Sequence, residues 1–517
     1  MFHTLSIPLT RIAHLPSMLI KQILYAALIT SLLCSNTEGK DRPNLLLLSI
    51  DDLNDWVGCM GGHAQAKTPN IDRLAQQGVL FTNAHCQAPL CGPSRASWLS
   101  GRYPHATGVY QQPVKDTLAK DDTFFRGHMM PEYFAKNGYH TLGVGKITHG
   151  YPGKIAFHEY GGNFHGFGPY PPGRQRFNYF LPDVPWSGTL TDWGKFPDQD
   201  ADLSDTKTAD WAIKNLNRNF DKPFLMGVGF VRPHVPFYVP AKWFDLFPLS
   251  EIQLPEILEE DLSDVPDTGR AVHEVPKYPN LRFLQAEKGL QYRKCVQAYL
   301  ACVAYVDHQV GRVLAALESS EHAENTIIVL LSDHGYHLGE KDRVSKHSLW
   351  EESTHVPLCF VDLRTKTKNA VAVGKRSDLP VGLIDIFPTL IDLCKIPKLS
   401  SNEGMSLAKV LSAPHETTLS RRGVLTTYAK GNHAIRTERY RYIRYEDGSE
   451  ELYDHDTDPR EWRNLAGTAN AAETLAQLRL LLPKHDAPYH ASTSTKPINQ
   501  WFQDHFERHV NPKLRQQ

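Results

Sequence analysis

Asn44-Leu45-Leu46-Leu47-Leu48-Ser49-Ile50 decides the fold, and Asp51-Asp52 follows it directly. A near-continuous apolar run has no polar face to turn towards water. It reads as a strand buried on both sides, as in a parallel sheet covered by helices. Working outward, Thr68-Pro69-Asn70 reads as a helix start, with the helix running through Leu74 and stopping at Gly78. Val79–Phe81 predicts a short strand leading towards Cys86 and Cys91. Met130–Lys136 predicts a helix stopped by Asn137-Gly138, and Thr141–Val144 a strand that leads to Gly145-Lys146. Phe224–Phe230 predicts another strand, ending at Arg232-Pro233-His234. Gln291–Leu317 carries Val296, Tyr299, Leu300, Val303, Val306, Val310, Val313, Leu314 and Leu317 at helical spacing, one apolar stripe. Thr326–Leu331 reads as a buried strand that ends in Ser332-Asp333-His334-Gly335, and Val356–Val361 as one more.

After about Ser412 the pattern changes. Thr437–Tyr445 and Glu451–Tyr453 alternate like antiparallel strands, and Leu475–Leu482 reads as helical. The expected fold class is therefore α/β: a large, mostly parallel or mixed central sheet sandwiched by helices, with a smaller C-terminal α+β subdomain containing an antiparallel sheet. The Gly-, Pro- and aromatic-dense stretch from Tyr151 to about Gly194 predicts ordered loops over a pocket. The acidic, Pro-rich stretch Pro248–Pro279 predicts a surface loop.

Length and composition narrow the class. A chain of 517 residues accommodates one large domain and a smaller one. Its formal net charge of −1 gives no footprint for nucleic acid. Arg11 and Lys21 precede the apolar run Ile23–Leu33, which is too short to span a bilayer comfortably. It reads as a secretory signal peptide over 1–35, cleaved near Cys34–Asn36, leaving no membrane attachment. The expected location is exported, periplasmic or extracellular, and the absence of any Asn-x-Ser/Thr sequon favours a bacterial setting. The cysteines are Cys34, Cys59, Cys86, Cys91, Cys295, Cys302, Cys359 and Cys394, with no Cys-x-x-Cys pair. Zinc ribbons and thioredoxin-type sites do not fit, nor does a disulfide scaffold.

Asp51-Asp52, Lys146, His234 and Asp333-His334 each come just after a predicted strand. Ligands of open α/β sheets bind outside the carboxyl ends of the strands, so these distant segments are expected to converge. Asp51 and Asp52 repel each other unless something positive lies between them. A divalent cation resolves this, and oxygen-rich ligation points to a hard ion, Ca²⁺ or Mg²⁺, rather than zinc.

Cys91-Gly92-Pro93-Ser94-Arg95 resembles the C-x-P-S-R signature of the sulfatase family, within the alkaline-phosphatase superfamily. Gly138–His149, with its Gly-Lys-x-x-His end at Gly145, Lys146 and His149, resembles the family's second signature. Thr68–Leu74 and Gly78–Ala84 match as well, and the resemblance extends from Arg42-Pro43-Asn44 to Leu452-Tyr453-Asp454. Gly92 departs from the Ser or Ala more usual there. Asp333-His334 in place of Asp-Asn, and Pro233-His234-Val235-Pro236-Phe237, resemble the iduronate-2-sulfatase branch. Lys346 stands at the spacing of the corresponding family lysine.

The resemblance implies a sulfuric ester hydrolase with a catalytic domain over 41–412 and a C-terminal subdomain over 413–517. It implies conversion of Cys91 to formylglycine by a formylglycine-generating or sulfatase-maturating enzyme. It also implies a Ca²⁺ (or Mg²⁺) held by Asp51, Asp52, Cys91, Asp333 and His334. His334, as an imidazole, is the weakest calcium ligand of that set and has a second reading as a group hydrogen-bonded to a ligand. The implied catalytic set is Cys91, Arg95, Lys146, His149, His234 and Lys346. Lys146 and Arg95 acidify the attacking hydroxyl. His234, helped by Lys346, binds sulfate and protonates the departing sugar oxygen. His149 takes a proton as the aldehyde is restored. The implied substrate is a sulfated carbohydrate, a 2-O-sulfated uronic acid of a glycosaminoglycan-like chain, with Arg174 and Arg176 as candidate contacts to an acidic sugar. Two other readings stand beside it. One is a hydrolase of phosphate or phosphonate esters from the same superfamily; the other is a degenerate sulfated-glycan binding protein.

Overall fold

The computed structural model describes residues 42–164, 166–179, 190–274, 278–364, 371–415 and 423–493. The expected leader lies outside the described residues.

Eight strands form the central sheet: β1 (Asn44–Ile50), β2 (Val79–Phe81), β3 (His140–Gly145), β4 (Glu159–Tyr160), β5 (Phe224–Phe230), β6 (Thr326–Ser332), β7 (Leu358–Asp362) and β8 (Lys375–Ser377). Their spatial order is β8-β2-β7-β6-β1-β5-β3-β4. β6, β1, β5, β3 and β4 run parallel to one another. β7 is antiparallel to both neighbours, β6 and β2. The sheet is thus mixed.

The apolar run of β1 is explained by its two faces. Leu46, Leu48 and Ile50 point into one core layer, Leu45 and Leu47 into the other. β6 divides the same way, Ile328 and Leu330 against Ile327, Val329 and Leu331. Each such side chain contributes about 1.5–3 kcal/mol on burial, which pins the strand register. The first layer is covered by α1 (Pro69–Gln76), α4 (Ser204–Leu216) and α5 (Leu281–Glu318). The second is covered by α2 (Cys91–Ser100), α3 (Met130–Lys136) and α6 (Ile386–Leu393). The backbone of α5 leaves helical geometry over Ala286–Gly289, so its apolar stripe begins beyond that break, as the spacing predicts. Asp307 of α5 accepts the backbone N–H of Ile71 at 2.8 Å and of Asn70 at 3.1 Å, which caps α1 from a distant segment.

A separate four-stranded antiparallel sheet follows: β9 (Val424–Thr427), β10 (His433–Arg436), β11 (Tyr440–Arg444) and β12 (Glu450–Asp454). A helix at Ala472–Arg479 packs beside it. β9, β10 and the edge strand β8 were not predicted from the sequence. The expected strand Thr437–Tyr445 is shorter and begins at Tyr440. Pro248–Pro279 is not wholly loop, since Asp267–His273 is helical. The predicted loop region after Tyr151 also carries β4, which pairs in parallel with β3 at the sheet edge. All seven cysteines from Cys59 to Cys394 are free thiols. Among the described residues, no helix is long and apolar enough to cross a membrane.

Candidate active site

Register brings the predicted residues to one level. Ile50 pairs with Phe230 and with Ser332, and Gly145 pairs with Gly229. The residues after those strand ends therefore emerge side by side: Asp51-Asp52, Lys146, the turn bearing His234, and Asp333-His334. Close approach is needed here. A Cβ on Gly229 would lie 2.2 Å from the carbonyl carbon of Lys146, so only glycine lets that backbone cross β5. His234 sits between two cis prolyl bonds, Arg232-Pro233 and Val235-Pro236. Asp52 has φ +64, a left-handed conformation uncommon for aspartate and frequent at functional sites.

Cys91 occupies the first position of α2, where free backbone N–H groups and the helix dipole favour negative charge. The next residue explains the departure from the family signature. The Gly92 amide donates to Gln112 Oε1 at 2.9 Å, and a Cβ on Gly92 would lie 2.3 Å from that oxygen and 2.5 Å from Pro113 Cδ. Arg95, one helical turn on from Cys91, is fully buried. Its Nε donates to Asp333 Oδ2 at 2.9 Å, and its Nη2 approaches Asp51 Oδ1 at 3.4 Å. It also donates to the carbonyls of Lys146 and Ile147. One guanidinium thus ties the ends of β1, β3 and β6 together.

The remaining groups close around the thiol. Lys346 Nζ lies 3.2 Å from Cys91 Sγ and 2.6 Å from Asp52 Oδ1. His334 Nε2 lies 3.2 Å from the same sulfur and 3.3 Å from Asp52 Oδ1, while its Nδ1 faces the Gly335 carbonyl at 3.0 Å. Lys146 Nζ donates to Asp51 Oδ2. His149, half-buried, lies close enough to Cys91 for each to shift the other's titration. His234 Nδ1 faces the Val235 carbonyl at 2.7 Å, so its Nε2 points inward, 3.9 Å from Asp52 Oδ2. All ten sequence-predicted residues are thus brought together. Asp51, Asp52, Arg95, Asp333 and His334 are sealed, while Lys146, Lys346 and His234 keep 3%, 5% and 7% exposure. The open side of the site is therefore lined by these three together with the half-buried His149.

Charge follows from this packing. Burial pushes the Cys91 thiol up, but Lys146, Lys346, His334 and His149 outweigh it and hold the thiol well below its usual range. Burial and Cys91 raise the Asp51 carboxyl, and Lys146, His234 and Arg95 together hold it below the carboxylate range. Burial pushes Asp333 up to about 7, with Arg95 opposing. Burial alone would lower His334, yet Asp333 and Cys91 bring it up to about 9. His149 is lowered, mainly by burial. Burial would also lower Lys346, but Asp52 and Cys91 raise it well above its usual value.

The residues fit a hard metal ion. Ligand atoms of Asp51, Cys91, Asp333 and His334 lie within 4.8 Å of one another, as do those of Asp51, Asp52, Cys91 and His234. Asp52 Oδ2 is buried and has no hydrogen-bond partner among the described residues, which leaves one acceptor aimed at the cluster with nothing to accept. The repulsion argument from sequence is corrected in one respect. Lys146, Lys346 and Arg95 already neutralise Asp51, Asp52 and Asp333, so the orphaned oxygen, not bare repulsion, points to the ion.

Sequence reading missed several residues here. The Phe167 ring stacks on His234 with centroids 4.2 Å apart, and Lys146 Nζ sits 4.4 Å above that ring. Tyr299 Oη donates to the Asp52 carbonyl at 2.8 Å. The aromatic density of 151–194 was the only signal for Phe167. Arg176 does not face the site freely: it donates to the Thr191 carbonyl at 2.9 Å and braces its own loop. Arg174 is exposed, over the Tyr170 ring.

Comparison with known proteins agrees with this geometry. The profile of the family described as "Sulfatase" matches residues 43–396, and that of "N-sulphoglucosamine sulphohydrolase, C-terminal" matches 339–487. A protein named "Sulfatase" from Formosa agariphila is 41% identical over 92% of this chain and 94% of its own. Iduronate 2-sulfatase of Homo sapiens is 31% identical over 75% of this chain and 78% of its own. The solved structure of a 2-O GAG sulfatase superposes with a TM-score of 0.66 at 26% identity, covering 89% of this chain and 97% of that one. With strand-end acids, lysines and histidines gathered on the signature cysteine, the chain belongs to the sulfatase family and is a sulfuric ester hydrolase.

Proposed function

We propose that this enzyme removes an O-sulfate from a sulfated sugar, the 2-O-sulfate of a uronic acid in a glycosaminoglycan-like polysaccharide. The observation that carries the reading is the convergence of two lysines and three histidines on one buried thiol at the start of α2. The printed names of two relatives, iduronate 2-sulfatase and a 2-O GAG sulfatase, support the sugar and the sulfate position.

In this reading Cys91 is converted to formylglycine by a maturating enzyme, and its hydrated aldehyde supplies the nucleophile that a thiol or serine cannot regenerate. Asp51, Asp52, Asp333 and His334, with residue 91, would hold Ca²⁺ or Mg²⁺, which would polarise a sulfate oxygen and acidify the nucleophile. The chain's own residues do the rest. Arg95 fixes Asp51 and Asp333 so that the acids keep their spacing. Lys146 and Lys346, on the open side, take the charge of the sulfate oxygens as the S–O bond breaks. His234, with Nδ1 held by a carbonyl, offers Nε2 to the departing sugar oxygen and delivers its proton. His149, kept basic rather than cationic by burial, accepts a proton on the thiol side. Phe167 fixes the His234 ring by stacking.

The deciding experiment is a desulfation screen on defined sulfated disaccharides, with aryl sulfate and aryl phosphate assayed in parallel and the active-site peptide weighed by mass spectrometry. Aldehyde at residue 91, release of 2-O-sulfate and preference for sulfate over phosphate are expected. Full activity with an unmodified thiol sinks the mechanism, and preference for phosphate sinks the reaction class.

A further inference from the structure

One sizeable pocket does not contain the catalytic side chains but adjoins them. It measures about 580 Å³ and is lined by residues of 262–274 and 278–280 on one side and of 341–345 on the other. That volume lies in the range that holds small ligands. Tyr278 is the wall between the pocket and the reaction centre. It lines the pocket, packs 5.9 Å from the His347 ring, and lies close enough to Lys346, Asp52 and Cys91 to feel their charges. The Val344 amide donates to the Pro279 carbonyl at 3.1 Å, which joins the two sides two residues before Lys346.

The charges lining this pocket are mostly spent. Arg270 pairs with Asp267. Lys341 Nζ donates to Asp261 at 2.7 Å. Asp342 accepts the Leu281 amide at 2.7 Å. Glu274 is exposed at the rim. Arg343 is the exception. It is only 8% exposed, and it forms no ion pair among the described residues. Its Nη1 donates to the His273 carbonyl at 2.7 Å, its Nε to the Lys341 carbonyl at 3.2 Å, and its guanidinium lies 4.9 Å over the Trp350 ring. These contacts fix the plane of the fork and leave Nη2 without a protein acceptor among the described residues. Burial lowers its pKa to about 10, and Tyr428 and Asp342 do not restore it. A buried, oriented guanidinium without a counter-anion costs stability unless a ligand supplies the anion.

We propose that this pocket is a second carbohydrate subsite in which Arg343 Nη2 takes an anionic group of the substrate other than the sulfate being cleaved. The proposal rests on the sulfated-sugar reading above and adds to it. The group is either the carboxylate of the uronic acid itself or a sulfate on the adjoining sugar unit. Both offer two anionic oxygens that can accept hydrogen bonds from one edge of a guanidinium.

The test uses the mature enzyme and three versions of one 2-O-sulfated disaccharide: the parent, a form lacking the sulfate on the adjoining unit, and a form whose carboxylate is a methyl ester. In wild type, removing the group that Arg343 holds should lower kcat/KM by about tenfold to a hundredfold, mainly through KM. The same removal should have little effect in Arg343→Gln, and Arg343→Lys should recover part of the discrimination. The substrate that suffers identifies carboxylate or sulfate. Equal kcat/KM on all three versions in wild type overturns the subsite whether or not the variants fold, and so does an undiminished penalty in Arg343→Gln. No turnover of any version of the disaccharide by wild type, with a plain aryl sulfate still cleaved, instead defeats the underlying 2-O-sulfate reading.

Discussion

Two buried charge clusters stand at the two ends of the segment from Asp333 to Glu351, and they are built from nearly the same residue types. The first gathers Asp51, Asp52, Asp333 and His334 with Arg95, Lys146 and Lys346 around Cys91. The second gathers Glu351, Glu461 and His455 with Arg436 and Arg441 beneath the C-terminal sheet. The first brings four candidate metal-binding side chains within 4.8 Å of one another, the second three. Burial and composition therefore do not tell catalysis from architecture.

Closure does. In the second cluster two arginines fill the carboxylates: Arg441 Nε lies 2.5 Å from Glu461, Arg436 Nε lies 3.2 Å from Glu351, and His455 lies 3.0 Å from Glu461. Arg441 also donates to the Leu349 carbonyl at 2.9 Å, so the cluster clamps the segment that carries Lys346. The first cluster uses lysines, point charges on flexible stems, and leaves Asp52 Oδ2 unmatched beside a thiol held in its charged form. The carboxylates of the second cluster are matched by the chain's own cations, whereas in the first cluster Asp52 Oδ2 has no hydrogen-bond partner among the described residues.

The sharpest way to break this contrast is to delete the sulfur. Cys91→Ala and Cys91→Ser should both reduce turnover on aryl sulfate by at least about ten-thousandfold, because neither side chain yields an aldehyde hydrate. Far-UV circular dichroism should stay that of wild type. Activity within tenfold of wild type in either variant would show that the first cluster does not turn over substrate through residue 91.

Metal removal is the next largest effect. Dialysis against a chelator should cost on the order of a hundredfold in kcat, restored by Ca²⁺ or Mg²⁺, since several kcal/mol of charge stabilisation is lost. Unfolding of the C-terminal cluster should not respond to the same treatment. Identical activity with and without chelator removes the ion from the site.

The parts legible from sequence are those with a physical signature along the chain. β1 and β6 announce themselves because both faces are buried, and α5 because its stripe persists over many turns. Nine of the ten candidate site residues follow, since each stands just past a strand end or in a signature, while Lys346 was marked only by its spacing from Asp333. β8 is an edge strand with exposed Lys375 and Arg376, so no apolar pattern marks it. β9 and β10 are four residues each, too short for alternation to stand out. Phe167, Tyr278 and Arg343 lie in loops, where only the folded chain says what they touch. Nor does the sequence reveal that Lys146 and Lys346 lean on Asp51 and Asp52, because charge balance across such separations exists only after folding.

The smallest effect concerns the second cluster and reads stability, not turnover. Arg441→Met removes the cation between Glu351 and Glu461 and should cost about 3–5 kcal/mol, seen as a lower urea midpoint at neutral pH, because the buried Glu461 and the half-buried Glu351 lose a partner. The pH dependence gives the finer test. Burial raises the Glu351 carboxyl, but Arg436 and Arg441 outweigh it and hold it well below its ordinary 4.5. A carboxylate depressed in the folded state contributes stability above its unfolded value and loses it as pH falls through the folded one. Glu461, lowered by Arg441 and His455 against burial, acts in the same direction. The wild-type advantage over Arg441→Met should therefore be full at neutral pH and shrink as pH drops below about 4.5. An advantage that stays constant down to about pH 3 would mean that Arg441 holds the fold through its contacts with Leu349 and Thr354 alone, and that the second cluster is not an electrostatic clamp.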